Sequence, residues 1–377
     1  MAWFGHAHGR RADGLSTYSS DLVGGLVQRG AEVWFHHSLQ DGVVSPADQA
    51  HTRSWPTWRF KTVTVPRPGF RPRVERWLRQ VRPQVVHASL SFSLDDGWLG
   101  RRARASGAAT VATFHLPFGE PAGGRARVMH ELHRFWADRL AAYQRVIVFS
   151  EDHRDRLHEL GVGQARIEVL PNAVDTARFT PGPSALRTER LPGARLVVGY
   201  MGRLDPEKGV RALLEGFLGA DLGEEARLLL AGRGSLEARV RAAARDPRVV
   251  YLGQLLSPEE RLEFWRAADV FCLPSSAEGL SIALLEAMAC GCAVAATPAG
   301  GADWIAAAAP LDPTHLVESI GSQLAKWQDS PEQRRRQADL ARAEAVRHHG
   351  MAAMLDRLLA IYRECMDLTP SHDRLGE

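Results

Sequence analysis

The hydrophobic and polar positions of the chain define two alternating kinds of segment. Short apolar runs rich in β-branched residues are typical of buried strands, and longer stretches with apolar residues at helical spacing separate them. Strands that alternate with helices indicate a parallel, doubly wound sheet. In the first half the pattern predicts strands near Ala2–Phe4, Glu32–Phe35, Thr62–Val65, Val85–Ala88, Thr110–Phe114, Val146–Phe149 and Ile167–Leu170.

The second half repeats this pattern, with strands near Leu196–Met201, Arg227–Ala231, Val249–Leu252, Val270–Leu273 and Ala293–Thr297. Between the halves, a segment that begins at Pro171 is rich in Pro and Gly, as domain connections are. A chain of 377 residues also exceeds most single cores. We therefore predict an α/β protein with two doubly wound, Rossmann-like domains, 1–170 and 171–350, that face a cleft. A C-terminal helix within 351–377 is expected to pack back on the first domain.

Composition and charge exclude some classes of protein. The content of 45% apolar and 24% charged residues suits a globular chain rather than a disordered or fibrous one. A net charge of +3 indicates no particular partner. The four cysteines are too few and too scattered for a disulfide framework, which favours a cytoplasmic protein. No apolar run reaches the roughly 18 residues that a membrane-spanning helix needs, and no export signal is recognisable.

The most informative candidate site follows the predicted strand that ends at residue 273. If a helix begins near Gly279 or Leu280, the amides of Gly279, Leu280 and Ser281 point out of its N-terminus and bind a phosphate. Glu286 lies among apolar residues in the same helix, where a buried carboxylate needs partners. Two adjacent ribose hydroxyls would supply them, and Glu278 would then lie toward the transferred sugar. The alternative is that Glu286 is exposed and Glu278 is a carboxylate that the helix dipole favours.

A second segment favours a ligand site. Arg203 and Lys208 lie in a glycine-punctuated loop directly after the first strand of the second domain. Ligands of doubly wound sheets bind at the carboxyl ends of strands. The two cations are therefore expected beside the phosphates, where they neutralise a diphosphate leaving group. Alone, two basic loop residues would indicate only a solvated surface.

Three motifs in order resemble one family: Gly202-Arg203 to Lys208-Gly209, Ala231-Gly232-Arg233-Gly234, and Glu278-Gly279-Leu280 to Glu286-Ala287-Met288-Ala289-Cys290-Gly291. They are similar to the retaining GT-B-fold glycosyltransferases of the family 4 type, also called glycosyl transferases group 1. The resemblance implies that residues 171–350 bind a nucleotide-sugar donor and that residues 1–170 bind the acceptor. It implies that Arg203 and Lys208 hold the diphosphate. It further implies that Glu286 holds the ribose, that Glu278 contacts the donor sugar, and that the sugar keeps its anomeric configuration.

The first domain adds two candidate residues. Gly14 lies in the turn before the first helix, where the family carries a Gly-Gly pair near the donor phosphate, although Asp13 replaces the first glycine. An ordinary helix-capping turn is the alternative. His115, at the end of a predicted strand, resembles the family's active-site histidine, and we predict it as catalytic together with Glu278. Without the resemblance a structural histidine would be the simpler interpretation. Weaker candidates for acceptor contacts are His6, His8 and His87.

No metal and no further cofactor is expected. The chain has no D-x-D motif, and its histidines and cysteines lack the spacing of zinc ligands.

Residues 51–84 are the part of the sequence that bears on the identity of the acceptor. They carry many arginines and a single acidic residue, Glu75. Interleaved aromatic residues suit an anionic membrane surface, and nucleic acid is the poorer interpretation. A solvated face whose tryptophans pack inward is the alternative. The favoured function is a hexosyltransferase that makes glycolipids at the inner membrane face. A soluble or polysaccharide acceptor, a sugar-nucleotide epimerase and a non-catalytic partner subunit stay open. The interleaved aromatic residues of segment 51–84 are Trp55, Trp58, Phe60, Phe70 and Trp77.

Overall fold

A computed structural model describes residues 1–6, 14–38, 51–60, 63–90, 93, 95–115, 124–276, 278, 281–299 and 305–369. The described residues divide into two compact units. The first unit runs to Pro171 and takes in the chain again from Ala353, and the second runs from Asn172 to Ala352. Each unit is built on its own parallel sheet.

The first unit contains seven parallel strands in one sheet and one separate hairpin. Its strands are β1 (Ala2–Gly5), β2 (Trp34–Ser38), β3 (His51–Trp55), β4 (Thr57–Phe60), β5 (Val63–Pro66), β6 (Val85–Leu90), β7 (Ala109–Phe114), β8 (Arg145–Val148) and β9 (Ile167–Val169). The sheet has the order β3-β2-β1-β6-β7-β8-β9, and β4 pairs with β5 in antiparallel register. The strands β6 and β7 are buried along their whole length, as expected for parallel strands covered on both faces.

The prediction that the strand near Thr62–Val65 belongs to the parallel sheet is wrong. Its residues form β5, which pairs with β4 across a short connection instead. Pro56 precedes this hairpin and Pro66 ends it, and proline is disfavoured inside a sheet because it lacks the N–H that the ladder requires. The edge strand β3 was not predicted, because four of its five residues are exposed and the segment therefore contains no apolar run.

The second unit contains β10 (Leu196–Met201), β11 (Ala226–Ala231), β12 (Val249–Tyr251), β13 (Val270–Leu273), β14 (Ala293–Ala296) and β15 (Ala309–Pro310). They form a parallel sheet of order β12-β11-β10-β13-β14-β15. The five strands predicted for this half are confirmed. In both sheets the order reverses beside the first strand, between β1 and β6 and between β10 and β13. Such a reversal opens a crevice at the carboxyl ends of the strands, where ligands bind.

The helices of the first unit are α1 (Gly14–Gln28), α2 (Phe70–Val81), α3 (Asp96–Ala105), α4 (Gly124–Leu140) and α5 (Glu151–Glu159). The second unit contains α6 (Ala185–Arg190), α7 (Val210–Gly219), α8 (Glu237–Ala243), α9 (Pro258–Ala267), α10 (Ile282–Ala289), α11 (Leu316–Asp329) and α12 (Pro331–His348). The last helix, α13 (Met351–Asp367), begins in the second unit and lies in the first from Ala353 on.

Buried contacts hold α13 to the first unit. A Cβ added to Gly25 would lie 2.4 Å from Leu355 Cδ1, so a side chain there would collide with the helix. The Tyr362 hydroxyl lies 2.8 Å from His87 Nδ1. The His87 Nε2 lies 2.8 Å from Thr113 Oγ1, which also contacts the Tyr18 hydroxyl at 3.1 Å. Burial lowers the pKa of His87 to about 3, so this histidine is a neutral member of a buried polar chain.

Candidate active site

The loops after β10 and β13 meet because these two strands are neighbours in the second sheet. Lys208 lies in the loop after β10, and its Nζ lies 2.8 Å from Glu278 Oε1. The two side chains are only 13% and 16% exposed. Glu278 Oε1 also accepts a longer hydrogen bond from Ser275 Oγ, at 3.4 Å. The structure therefore brings two of the predicted site residues into direct contact at the crevice of the sheet.

Glycines allow this close approach of the loops. Gly209 has φ +68°, and a Cβ added there would lie 2.1 Å from the Pro274 carbonyl oxygen. Gly232, after β11, has φ +135°, and its Cβ would lie 1.8 Å from the Gly202 carbonyl oxygen. Only glycine fits both the backbone conformation and the space. The glycines of the two motifs are thus explained by packing between loops.

We expect Gly232→Ala to lower the free energy of unfolding by about 2 kcal/mol or more, because strain and collision act together. Equilibrium urea unfolding checks this. The matched control is Gly219→Ala at the end of α7, where no heavy atom of the described part of the chain lies within 4 Å of the added Cβ. This control should be neutral or gain up to about 1 kcal/mol. Equal stability of the two variants would contradict the packing explanation.

Arg203 is half-exposed and is already paired within its own loop. Its guanidinium contacts the carboxylates of Asp205 and Glu207, and Asp205 Oδ1 also accepts 2.9 Å hydrogen bonds from Ser235 N and Oγ. Burial opposes the charge of Arg203, but the hydrogen bond and charge of Glu207, followed by Asp205, raise its pKa overall. A diphosphate would therefore have to compete with the carboxylates of Asp205 and Glu207 for the Arg203 guanidinium.

The helix predicted to begin near Gly279 or Leu280 begins two residues after Leu280. The first residue of α10 is Ile282, and Ser281 is the N-cap with extended backbone, φ −70° and ψ 125°. Serine is a favoured N-cap residue, and glycine is a poor helix former. Gly279 and Leu280 lie outside the described residues. The phosphate-binding role predicted for these two residues and Ser281 stays a prediction.

Glu286 is 2% exposed, so the alternative of an exposed helix residue is wrong. The inference that its burial calls for a ribose is also wrong, because both carboxylate oxygens have protein partners. Arg261 Nε donates to Oε1 at 2.9 Å, and Trp265 Nε1 donates to Oε2 at 3.0 Å. Arg261 and Trp265 are four residues apart on α9 and so share one helix face. The ribose role of Glu286 now depends on the family resemblance alone.

In the first unit His115 directly follows β7. Its Nε2 lies 2.8 Å from Ser89 Oγ, and its ring stands edge-on to that of Tyr18, with centroids 4.8 Å apart. Burial is the main cause that holds the pKa of His115 well below its ordinary value. A neutral imidazole is better suited to forming a hydrogen bond with a sugar than to carrying an additional proton. Its catalytic role stays a prediction.

Gly14 is the first residue of α1. Among the described residues no heavy atom lies within 4 Å of a Cβ added there, so the described surroundings of Gly14 do not require glycine. Asp13 lies outside the described residues. The predicted donor contact of Gly14 therefore has no support from packing.

The basic segment 51–84 is only partly a surface. Trp55 and Trp77 are 8% and 1% exposed and belong to the core, so their expected place at a membrane surface is wrong for these two. Trp58 is 45% exposed, and the Arg67 guanidinium lies 5.9 Å from its ring centroid. On α2 the apolar Val74, Trp77 and Leu78 are buried, and the four arginines of this helix are exposed. Of the basic and aromatic surface that was predicted, the structure therefore shows an exposed, arginine-rich face on α2.

Comparisons with known proteins give the family. Residues 12–178 match Glycosyltransferase Family 4, and residues 195–326 match Glycosyl transferases group 1. The chain is therefore a glycosyltransferase of the family 4 type. This confirms the resemblance.

Relatives and a solved structure agree with the family and the fold. The chain is 37% identical over 182 residues to a D-inositol 3-phosphate glycosyltransferase of Acidothermus cellulolyticus, a match that spans 44% of this chain and 40% of that relative. It is 26% identical to a GDP-mannose-dependent alpha-(1-6)-phosphatidylinositol dimannoside mannosyltransferase of Mycobacterium tuberculosis, over 96% of each chain. The structure of Anabaena HepE in complex with UDP superposes with a TM-score of 0.76 at 15% identity, covering 96% of this chain and 99% of that one. The GT-B fold is confirmed.

None of the described helices is both long and apolar enough to cross a membrane. Within the same residues, no three His, Cys, Asp or Glu side chains are grouped so that they could hold a metal ion.

Proposed function

We propose that the chain transfers a hexose from a nucleoside-diphosphate sugar to an acceptor hydroxyl with retention of configuration and without a metal ion. The contact between Lys208 and Glu278 at the crevice between β10 and β13 carries this proposal. A cation beside a carboxylate suits a donor whose phosphates are anionic and whose sugar offers hydroxyl protons. One relative is named GDP-mannose-dependent, and one solved structure contains UDP-glucose, which supports a nucleotide sugar as donor.

In the proposed reaction the bond between the anomeric carbon and the diphosphate oxygen breaks. A bond from the acceptor oxygen to the same carbon forms on the same face. The acceptor proton passes to the leaving phosphate oxygen, so atoms and charge balance. Lys208 stabilises the negative charge that develops on the diphosphate. Glu278 accepts a hydrogen bond from a sugar hydroxyl, and the neutral His115 donates or accepts another.

A panel of nucleotide sugars tests the donor. UDP-, GDP- and ADP-linked hexoses are compared by thermal shift and by donor hydrolysis, and lipid extracts are searched for product with the best donor. Binding, slow hydrolysis and a glycosylated product support the proposal. A rearranged sugar nucleotide from donor alone would indicate an epimerase. Nucleotide binding without any turnover would indicate a non-catalytic partner subunit.

The favoured acceptor is a membrane lipid, and a soluble or polysaccharide acceptor is the second candidate. The name of the mycobacterial relative includes phosphatidylinositol dimannoside, which supports a lipid. The exposed arginines of α2 support peripheral attachment to an anionic membrane at its cytoplasmic face. Nucleic acid is not proposed as a partner.

Flotation with anionic liposomes tests the attachment. Arg73, Arg76 and Arg79 are exposed on α2, and their joint change to Ala should weaken binding by about 10²-fold, at about 1 kcal/mol per arginine. The matched control changes three exposed arginines of α12 to Ala and should float like the wild type. Absence of wild-type flotation, or equal loss in both variants, would exclude this surface. The control residues are Arg335, Arg336 and Arg347.

A further inference from the structure

Two acidic residues contact the guanidinium of Arg203 in the loop after β10, and their surroundings differ. The Arg203 Nη1 contacts Asp205 Oδ2, and its Nη2 contacts Glu207 Oε1. The Asp205 side chain is 20% exposed, whereas that of Glu207 is 41% exposed. Each carboxylate therefore occupies one terminal nitrogen of the same guanidinium, but water reaches one of them far more easily than the other.

The second carboxylate oxygen of Asp205 is fixed by the turn that follows β11. This Oδ1 accepts hydrogen bonds from Ser235 N and from Ser235 Oγ, both at 2.9 Å. Burial opposes the charge of Asp205, but the hydrogen bonds from Ser235, followed by the charge of Arg203, lower its pKa. The backbone strengthens the same connection, because Leu204 N donates to Arg233 O at 2.8 Å. Asp205 therefore fastens Arg203 to the neighbouring turn.

Glu207 is held through its backbone and not through its carboxylate. Its carbonyl oxygen accepts hydrogen bonds from Ser276 N at 2.9 Å and from Ser276 Oγ at 3.2 Å. Among the described residues, the side chain of Glu207 has no hydrogen-bond partner other than Arg203. An exposed ion pair of this kind contributes little to stability, so its separation costs little. The carboxylate can therefore leave Arg203 by rotation of its side chain, while the backbone stays in place.

A phosphate oxygen can replace the Glu207 carboxylate without leaving Arg203 unpaired. The guanidinium presents its N–H donors in a rigid fork that fits carboxylates and phosphates alike. When Glu207 departs, Asp205 still holds Nη1, so Nη2 is offered to the ligand in a fixed position. A diphosphate carries more negative charge than one carboxylate, which favours the exchange while the diphosphate is bound.

We propose that Asp205 and Glu207 act on Arg203 in opposite ways. Asp205 is a positioning residue that keeps the guanidinium in place. Glu207 is a displaceable counter-ion, which leaves Arg203 when the donor diphosphate binds and returns when the nucleoside diphosphate departs. Glu207 therefore weakens the binding of this product and speeds its release. Because the ligand is taken to be a sugar-nucleotide donor, this role rests on the proposed function.

Calorimetric titration of the full chain with UDP, GDP and ADP tests both roles, and the tightest of the three serves as the probe. Glu207→Gln should bind the probe about three- to tenfold more tightly than the wild type, because the competing carboxylate is gone. Asp205→Asn removes the same charge and still accepts from Ser235, but it lacks the carboxylate oxygen that holds Arg203. It should bind the probe about three- to tenfold more weakly. A simple effect of net charge would shift both variants in the same direction.

Glu215→Gln on α7 is the matched control and should bind the probe as the wild type does. Glu215 also forms an ion pair with an arginine four residues away, and its side chain is 38% exposed. Equal affinity of Glu207→Gln and the wild type, or tighter binding by Asp205→Asn, would overturn the proposal. If Asp205→Asn fails to fold, Ser235→Ala leaves the net charge unchanged and removes one anchoring hydrogen bond. It should weaken probe binding about threefold, and unchanged affinity would then overturn the role of Asp205.

Steady-state kinetics with a donor that is turned over give a second measurement. Glu207→Gln should lower KM for the donor about three- to tenfold without raising kcat, because the carboxylate competes with the bound donor. Asp205→Asn should raise KM by a similar factor and also lower kcat, because Arg203 is then misplaced in the transition state as well. An unchanged KM in both variants would contradict the two roles.

Turnover also separates these roles from the proposed function. Transfer or hydrolysis of a sugar nucleotide, with the same probe affinity in the wild type and Glu207→Gln, would retain the transferase and exclude the counter-ion. Opposite shifts of probe affinity in Glu207→Gln and Asp205→Asn, without turnover of any donor, would retain the counter-ion and exclude the transferase. Absence of binding of all three nucleotides by the wild type would exclude both.

Discussion

Glu278→Ala and Lys208→Ala are each expected to lower kcat by about 10²-fold, which corresponds to about 3 kcal/mol of lost transition-state stabilisation. The two side chains form a shielded ion pair at 2.8 Å, so each variant also removes the opposite charge that lies beside the remaining side chain. The double variant should therefore lose less than the product of the single effects. Initial rates at saturating donor, with the donor that the panel identifies, measure these effects.

The matched control is Glu225→Ala. Glu225 forms an exposed pair with Arg195 at 3.5 Å in the same unit, and exposed pairs contribute little. Its kcat should equal that of the wild type. Wild-type rates in both Glu278→Ala and Lys208→Ala would show that this pair does not take part in transfer. Arg203→Ala should have a smaller effect, because Asp205 and Glu207 already share its charge.

The sequence was most informative where structure follows from apolar runs and glycines. The strands of the second sheet are buried and β-branched, so local composition alone predicts them. Gly209 and Gly232 also stand out, although the reason for them, a carbonyl oxygen of another loop in the space of a Cβ, requires the folded chain. The edge strand β3 was harder to predict because its exposed residues give no apolar run, and the run of β5 did not reveal its antiparallel pairing with β4.

The environment of individual side chains could not be predicted. Glu286 is 25 residues from Arg261 along the chain, and no local pattern pairs an acid in one helix with a base in the helix before it. Trp55 and Trp58 occupy similar sequence surroundings, yet one is 8% and the other 45% exposed.

Arg261→Met is expected to lower the free energy of unfolding by about 3–5 kcal/mol, because it leaves the Glu286 carboxylate buried without its charged partner. Arg261 and Glu286 are 8% and 2% exposed, so water cannot replace the lost contact. The double variant Arg261→Met/Glu286→Leu should recover most of that loss, since apolar residues of similar volume often substitute for a buried ion pair. Equilibrium urea unfolding followed by circular dichroism measures both.

This comparison also separates two roles of Glu286. Glu286→Ala alone lowers stability whether or not a ribose binds, because it removes the carboxylate that the buried Arg261 cation contacts. The double variant removes that complication. If it is stable and still binds the donor nucleotide as the wild type does, Glu286 is a structural residue that fastens α9 to α10. If it is stable and binds the nucleotide about tenfold or more weakly, Glu286 contacts the donor in addition to its protein partners. A single variant Arg261→Met as stable as the wild type would mean that the pair contributes nothing.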